Sequence, residues 1–168
     1  MQKLTLVIAA LALASVAMTP LTNAISAPAP TPAPLPHCEV PCGIYADQHR
    51  FEEMLEDTAT ITKAITQINE LAGKNDGQSV NQTVRWVTTK EDHATNTQHI
   101  VAQYFLTQRI KADKPRYAEQ LASAHGVMVA AMKCKQGTNP ESGAALKTAI
   151  LKLHKAYTGE EHKPHTHK

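Results

Sequence analysis

Four stretches of this chain repeat apolar residues at spacings of three and four, and each is closed by glycine or proline. That period puts the apolar side chains on one face of a helix, and the punctuation keeps each helix short. In the first stretch Phe51, Leu55, Thr58, Ile61, Ile65, Ile68 and Ala72 share a face, and Gly73-Lys74-Asn75-Asp76-Gly77 ends it. The second runs from about Val80 to about Ala112, with Val84, Val87, Ala94, Val101, Tyr104 and Phe105 as its stripe, and Pro115 forces a break after it. The third spans about Arg116 to Lys135, carries Tyr117, Leu121, Ala124, Met128 and Ala131, and stops at Gly137. Asn139-Pro140 opens the fourth, with Asn as the cap and Pro at the first helical position, and its stripe is Leu146, Ile150, Leu153 and Tyr157. One-sided helices on short connections must cover each other's stripes. The sequence therefore predicts an all-α fold, an antiparallel four-helix bundle over residues 46–159.

A length of 168 residues suits one domain, and 4% aromatic content disfavours a sandwich or barrel. The net charge is +2 and no basic run interleaves with aromatics, so nucleic acid is not an expected partner. A bundle by itself says nothing of function, which has to come from a site.

The first 36 residues hold a single charged residue, Lys3. Met1-Gln2-Lys3 is a basic start, Leu4 to Met18 is apolar, and Thr22-Asn23-Ala24 supplies small residues before a cleavage point, with Ile25-Ser26-Ala27 as a second candidate. This is the layout of a secretory signal peptide over residues 1–24. The apolar run is shorter than the roughly 20 residues that span a bilayer, so no stable membrane anchor is expected in the mature chain. The expected location is periplasmic or extracellular. Residues 25–36 then form a proline-rich linker, in which APAPTPAPLP blocks helix and sheet and favours an extended chain. It reads equally as a spacer and as a removable pro-segment that presents His37 to a processing protease.

His37-Cys38-Glu39-Val40-Pro41-Cys42-Gly43-Ile44-Tyr45 is the chemically densest stretch. Two thiols lie four positions apart, and Pro41 and Gly43 permit a tight hook around them. Cleavage after Pro36 would add the free amine and the imidazole of His37. Amine, the Cys38 amide nitrogen and two thiolates make a planar N2S2 set, which suits Ni(II) or Cu(II), whereas zinc prefers tetrahedral sites. The imidazole is then available as an axial fifth ligand.

The pattern H-C-x-x-P-C-G-x-Y directly behind a removable leader resembles the nickel hook of the nickel-containing superoxide dismutases. His37, Cys38, Pro41, Cys42, Gly43 and Tyr45 match it, and Glu39 stands where Asp is common. Over the helices the resemblance rests on Arg50-Phe51-Glu52, Lys90-Glu91 and Tyr104-Phe105. It implies a four-helix bundle assembled as a homohexamer, with one nickel ion per subunit in a hook over residues 37–45. It also implies dismutation of superoxide to oxygen and hydrogen peroxide by Ni(II)/Ni(III) cycling. Cys38 and Cys42 would supply thiolates, Cys38 its amide nitrogen, and His37 its amine and axial imidazole. Tyr45 would stand over the open face and order superoxide and water, and Pro41 would shape the loop. The family's orienting partners of the axial imidazole map onto Glu52, with Glu53 as the alternative, and onto His93, where the family has Arg, with Arg85 as the alternative.

Three other readings compete. A C-x-x-x-C in an exported chain can be a simple disulfide, here Cys38–Cys42 in a structural helical module. A non-catalytic exported nickel or copper carrier could use the same donors with His162, His165 and His167. A lipidated Cys38 is disfavoured by His37 and Pro36 before it. Cys134 reads as structural or incidental, Trp86 as core, and residues 160–168 as a disordered, His-rich tail.

Overall fold

The computed structural model describes residues 47–163. The signal peptide, the linker, the 37–45 segment, His165 and His167 lie outside the described residues. Helix α1 spans Gln48–Leu71, α2 Gly77–His99, α3 Tyr117–Gln136 and α4 Glu141–Thr158, and a π-helical segment, Ile100–Arg109, continues directly from α2. There is no strand among the described residues. None of these helices is long and apolar enough to cross a membrane.

The helices begin and end where local chemistry directs. Gly73, at φ +82°, takes the left-handed turn that ends α1. Asp76 caps α2 by accepting from the Ser79 amide at 3.0 Å. Asn139 Oδ1 accepts the Glu141 amide at 3.0 Å, the cap expected ahead of Pro140. Arg116 enters α3 from a left-handed conformation at φ 62°. That strain is offset by its guanidinium, which donates to the Lys155 and Tyr157 carbonyls at the end of α4.

The four helices run up and down in order. Asp47, ahead of α1, meets Tyr104 and Arg109 from the end of the π segment and Tyr157 from the end of α4. At the opposite end Asn69 donates to the Thr138 carbonyl between α3 and α4. The core is Phe51, Met54, Ile61 and Ile65 from α1, Val101, Tyr104 and Phe105 from the π segment, Val127 and Ala131 from α3, and Leu146, Ile150 and Leu153 from α4.

Two stripes are met only in part. In the second, Ala94, Val101, Tyr104 and Phe105 are buried as expected, but so are Ser79, Lys90 and Thr97, whereas Val80, Val84 and Val87 are 49%, 60% and 38% exposed. On α3 Ala124 and Ala131 are buried as expected, together with Gln120, Ser123, Val127 and Cys134, while Tyr117, Leu121 and Met128 lie at the margin. Lys90 stays inside because all its donors are used. Its ammonium reaches the Cys134 and Lys135 carbonyls, both at 2.7 Å, and Glu91 at 2.8 Å, and so caps the end of α3. Trp86 is half-buried under the Lys63 ammonium, 5.7 Å from its ring centroid.

Helices α1 and α4 touch through Gly143. A Cβ there would fall 2.2 Å from Thr62 Oγ1 and 3.2 Å from its Cβ. Gly143→Ala is expected to cost about 1–3 kcal/mol through overpacking. A lower urea midpoint should show it, and adding Thr62→Ala should recover most of the loss.

Candidate metal centre

The predicted donors His37, Cys38 and Cys42 lie outside the described residues, as do Glu39, Pro41 and Tyr45. The described chain starts at Asp47, two positions after Tyr45, and a cluster of polar side chains surrounds it. Beneath them is a floor of rings. Phe51 and Phe105 are 4.7 Å apart, Phe105 and Tyr157 5.4 Å, and Phe51 and His154 4.8 Å.

Asp47 precedes α1 but its side chain does not cap it. The carboxylate instead turns across the bundle end. Its Oδ1 accepts from the Tyr104 hydroxyl, and its Oδ2 from the Tyr157 hydroxyl at 2.6 Å and the Arg109 guanidinium at 2.7 Å. The π segment makes this convergence possible. Bonds five residues apart, such as Ile110 N–H to the Phe105 carbonyl at 2.8 Å, widen the helix and bring Tyr104 and Arg109 to one carboxylate. Arg50 and Arg109 both lie over the Tyr104 ring, at 5.3 and 6.0 Å. Burial alone would raise the Asp47 pKa, but the donors Arg109, Tyr104 and Tyr157 outweigh it and hold the carboxyl below its ordinary 3.8. Burial, and after it the hydrogen bond to Asp47, push Tyr104 and Tyr157 up to about 12. Both hydroxyls therefore remain protonated donors at neutral pH.

Glu52 lies one turn further along α1. Its Oε1 accepts from Gln48 Nε2 and from His162 Nε2–H, each at 2.7 Å. Gln48 Oε1 in turn accepts from His154 Nε2–H at 2.8 Å. His154 is buried, and that burial is the main cause of its lowered pKa, so the neutral ring is favoured. His93, the other predicted orienting residue, projects from α2 and pairs through Nδ1 with buried Asp57 at 2.6 Å. Asn96 and Thr97 donate to the same carboxylate. Glu53 is paired with Arg50 at 2.6 Å and accepts from Asn96, and Arg85 is exposed. Glu52 and His93 thus occupy separate networks, joined to α4 and α2 respectively.

Among the described residues no group of three or more His, Cys, Asp or Glu could hold a metal ion. Cys134 is buried in the core, its thiol pushed up by that burial and donating to the Ser142 carbonyl at 3.4 Å. Such a thiol is poorly suited to become the thiolate a metal needs. The thiol and imidazole set of residues 37–42, outside the described residues, fits nickel by its chemistry. The family model of the nickel-containing superoxide dismutases matches residues 29–161, a span that includes that set and nearly the whole bundle. The chain belongs to this family. It is a nickel enzyme, an oxidoreductase acting on superoxide. No curated protein and no solved structure matches it.

In this superoxide dismutase several residues that shape the bundle end escaped the sequence reading. Asp47 and Arg109 had no role there, and Tyr157 appeared only in the apolar stripe of the fourth helix. One signal was available for Asp47: it is the first acidic residue after Tyr45. Nothing local marked Arg109, whose guanidinium also lines a cleft of about 470 Å³ with Lys111, Lys114, Arg116 and Tyr157.

Proposed function

We propose that the nickel of this dismutase is held by the segment His37 to Tyr45 after proteolysis behind Pro36. The amine and imidazole of His37, the amide nitrogen of Cys38 and the thiolates of Cys38 and Cys42 would hold it. The observation that carries this reading is that the family match runs through the one stretch combining two thiols, an imidazole and an adjoining proline-rich leader. Cys134, the cysteine outside that stretch, is committed to the core.

Bound nickel supplies a one-electron couple, Ni(II)/Ni(III), matched to superoxide. The anionic thiolates of Cys38 and Cys42, the deprotonated Cys38 amide and the His37 imidazole would favour the higher oxidation state. Glu52 holds the far ring nitrogen of His37, so that the imidazole returns to one orientation. His93 is the second candidate for that task. With its Nδ1 engaged by Asp57, its contact with His37 would run through Nε2. Tyr45 orders superoxide and water by its hydroxyl, and chain connectivity keeps its Cα within about 7 Å of that of Asp47. Arg109, Lys111, Lys114 and Arg116 give the bundle end a positive cleft that attracts a small anion. Two superoxide ions and two protons give one oxygen and one hydrogen peroxide.

The export signal supports a periplasmic or extracellular enzyme, matured by a leader-processing protease. The family resemblance supports a homohexamer, and the exposed stripe Val80, Val84 and Val87 offers a face for subunit contact. N-terminal sequencing with electron paramagnetic resonance on active protein tests the whole reading. The expected result is a mature chain beginning at His37 and a Ni(III) signal split by one axial nitrogen. Active protein beginning at Ile25 or Ala27, or a Cys38–Cys42 disulfide in active protein, would overturn it.

A further inference from the structure

We propose that His162, from the chain's carboxy-terminal tail, is a positioning residue of the nickel centre that acts through Glu52. The inference rests on the reading that Glu52 orients the His37 imidazole, and deepens it.

The tail is built to return to α1. Gly159, at φ +86°, ends α4 in the left-handed conformation, its amide donating to the Lys155 carbonyl at 2.9 Å. The chain then doubles back. The Glu160 amide donates to Thr158 Oγ1 at 3.1 Å, and Lys155 pairs with Glu161 at 2.6 Å. Of the next residues Glu161 is 74% exposed at its side chain, but that of His162 is 8% exposed. Among the described tail residues, His162 is thus the one whose side chain is inserted. His162 stands edge-on to His154, their centroids 5.1 Å apart at 83°.

The hydrogen bonds onto Glu52 run in one direction. A carboxylate only accepts, so His162 Nε2 carries the proton it gives to Glu52 Oε1. His154 Nε2–H donates to Gln48 Oε1, which turns the Gln48 amide nitrogen onto the same Glu52 oxygen. Among the described donors, Gln48 on α1 and His162 from the tail both reach Oε1 of a carboxylate that is 31% exposed. A group that orients a metal ligand does so only as well as its own rotamer is held. His162 contributes to that hold from a position 110 residues away in sequence.

The test uses the processed, nickel-loaded enzyme with His162→Ala, His162→Gln and Glu52→Gln. Readouts are the axial-nitrogen splitting of the Ni(III) resonance, nickel content, turnover and the thermal midpoint. We expect His162→Ala to blur the axial splitting and lower turnover about tenfold, the scale of losing a partner behind a metal ligand. His162→Gln, whose amide can still donate to Glu52, should restore both. If Glu52→Gln loses the splitting while His162→Ala keeps splitting and turnover, the role of His162 is overturned and that of Glu52 stands. If Glu52→Gln also leaves them unchanged, both fall. A defect in His162→Ala that His162→Gln fails to correct overturns the donor role, because bulk rather than the N–H would then be what matters.

Discussion

Cys38→Ser and Cys42→Ser are each expected to reduce dismutase activity to background while leaving the helical circular dichroism intact. A serine hydroxyl is a poor anion at neutral pH and a hard donor. Either exchange therefore removes one of the two soft ligands that make the proposed donor set suitable for nickel. The bundle should not register the change. Its buried residues run from Phe51 to Ala156, and Cys134 is its own cysteine. Thermal midpoints of the nickel-free variants should match the parent, with stability changed by less than about 0.5 kcal/mol. Either variant retaining activity with nickel bound would remove that cysteine from the donor set. Cys134→Ser is the control, and should lower stability without abolishing activity, since it puts a hydroxyl into the core.

Asp47→Ala is expected to produce the largest loss of stability among single changes at the bundle end, about 3 kcal/mol, or roughly 10 °C in thermal midpoint. The carboxylate is the common acceptor of Tyr104, Tyr157 and Arg109, and its removal leaves two largely buried hydroxyls and a guanidinium without it. Titration separates this from a packing effect. Asp47 has a folded pKa below its ordinary 3.8, so its stabilisation is complete above that value and is lost as pH falls through the lower folded one. Tyr104 and Tyr157 are raised from 10.0 to about 12, so their share is complete below pH 10 and fades as pH rises toward 12. Stability against pH should show both limbs in the parent, and Asp47→Asn should flatten them.

The expected four-helix order follows from features that act over a few residues. Apolar spacing, Gly73, Gly159 and the Asn139-Pro140 pair bias the backbone locally, so the structure begins and ends its helices close to the expected places. The proposed donor set was legible for the same reason, because amine, amide, imidazole and two thiols fall within six consecutive residues. Spacing gave the buried faces of α1 and α4, with Phe51, Ile61, Ile65, Leu146, Ile150 and Leu153 inside, but not the first half of α2. Val84 and Val87 look like core, but the neighbours of α2 select the row of Ser79, Lys90, Ala94 and Thr97. Lys90 enters that row because two carbonyls at the end of α3 await it, 44 and 45 residues away.

The same limit applies at the Asp47 end of the bundle. Sequence alone determined the helical class and the order of the elements, and it is the source of the proposed donor set, since each depends on neighbours along the chain. Tertiary structure alone decided which partners those side chains meet. Tyr104 and Tyr157 reach Asp47 across 57 and 110 residues, and His162 reaches Glu52 across 110. Such hydrogen bonds leave no periodic trace in composition or spacing, and they exist only once packing has closed the distance.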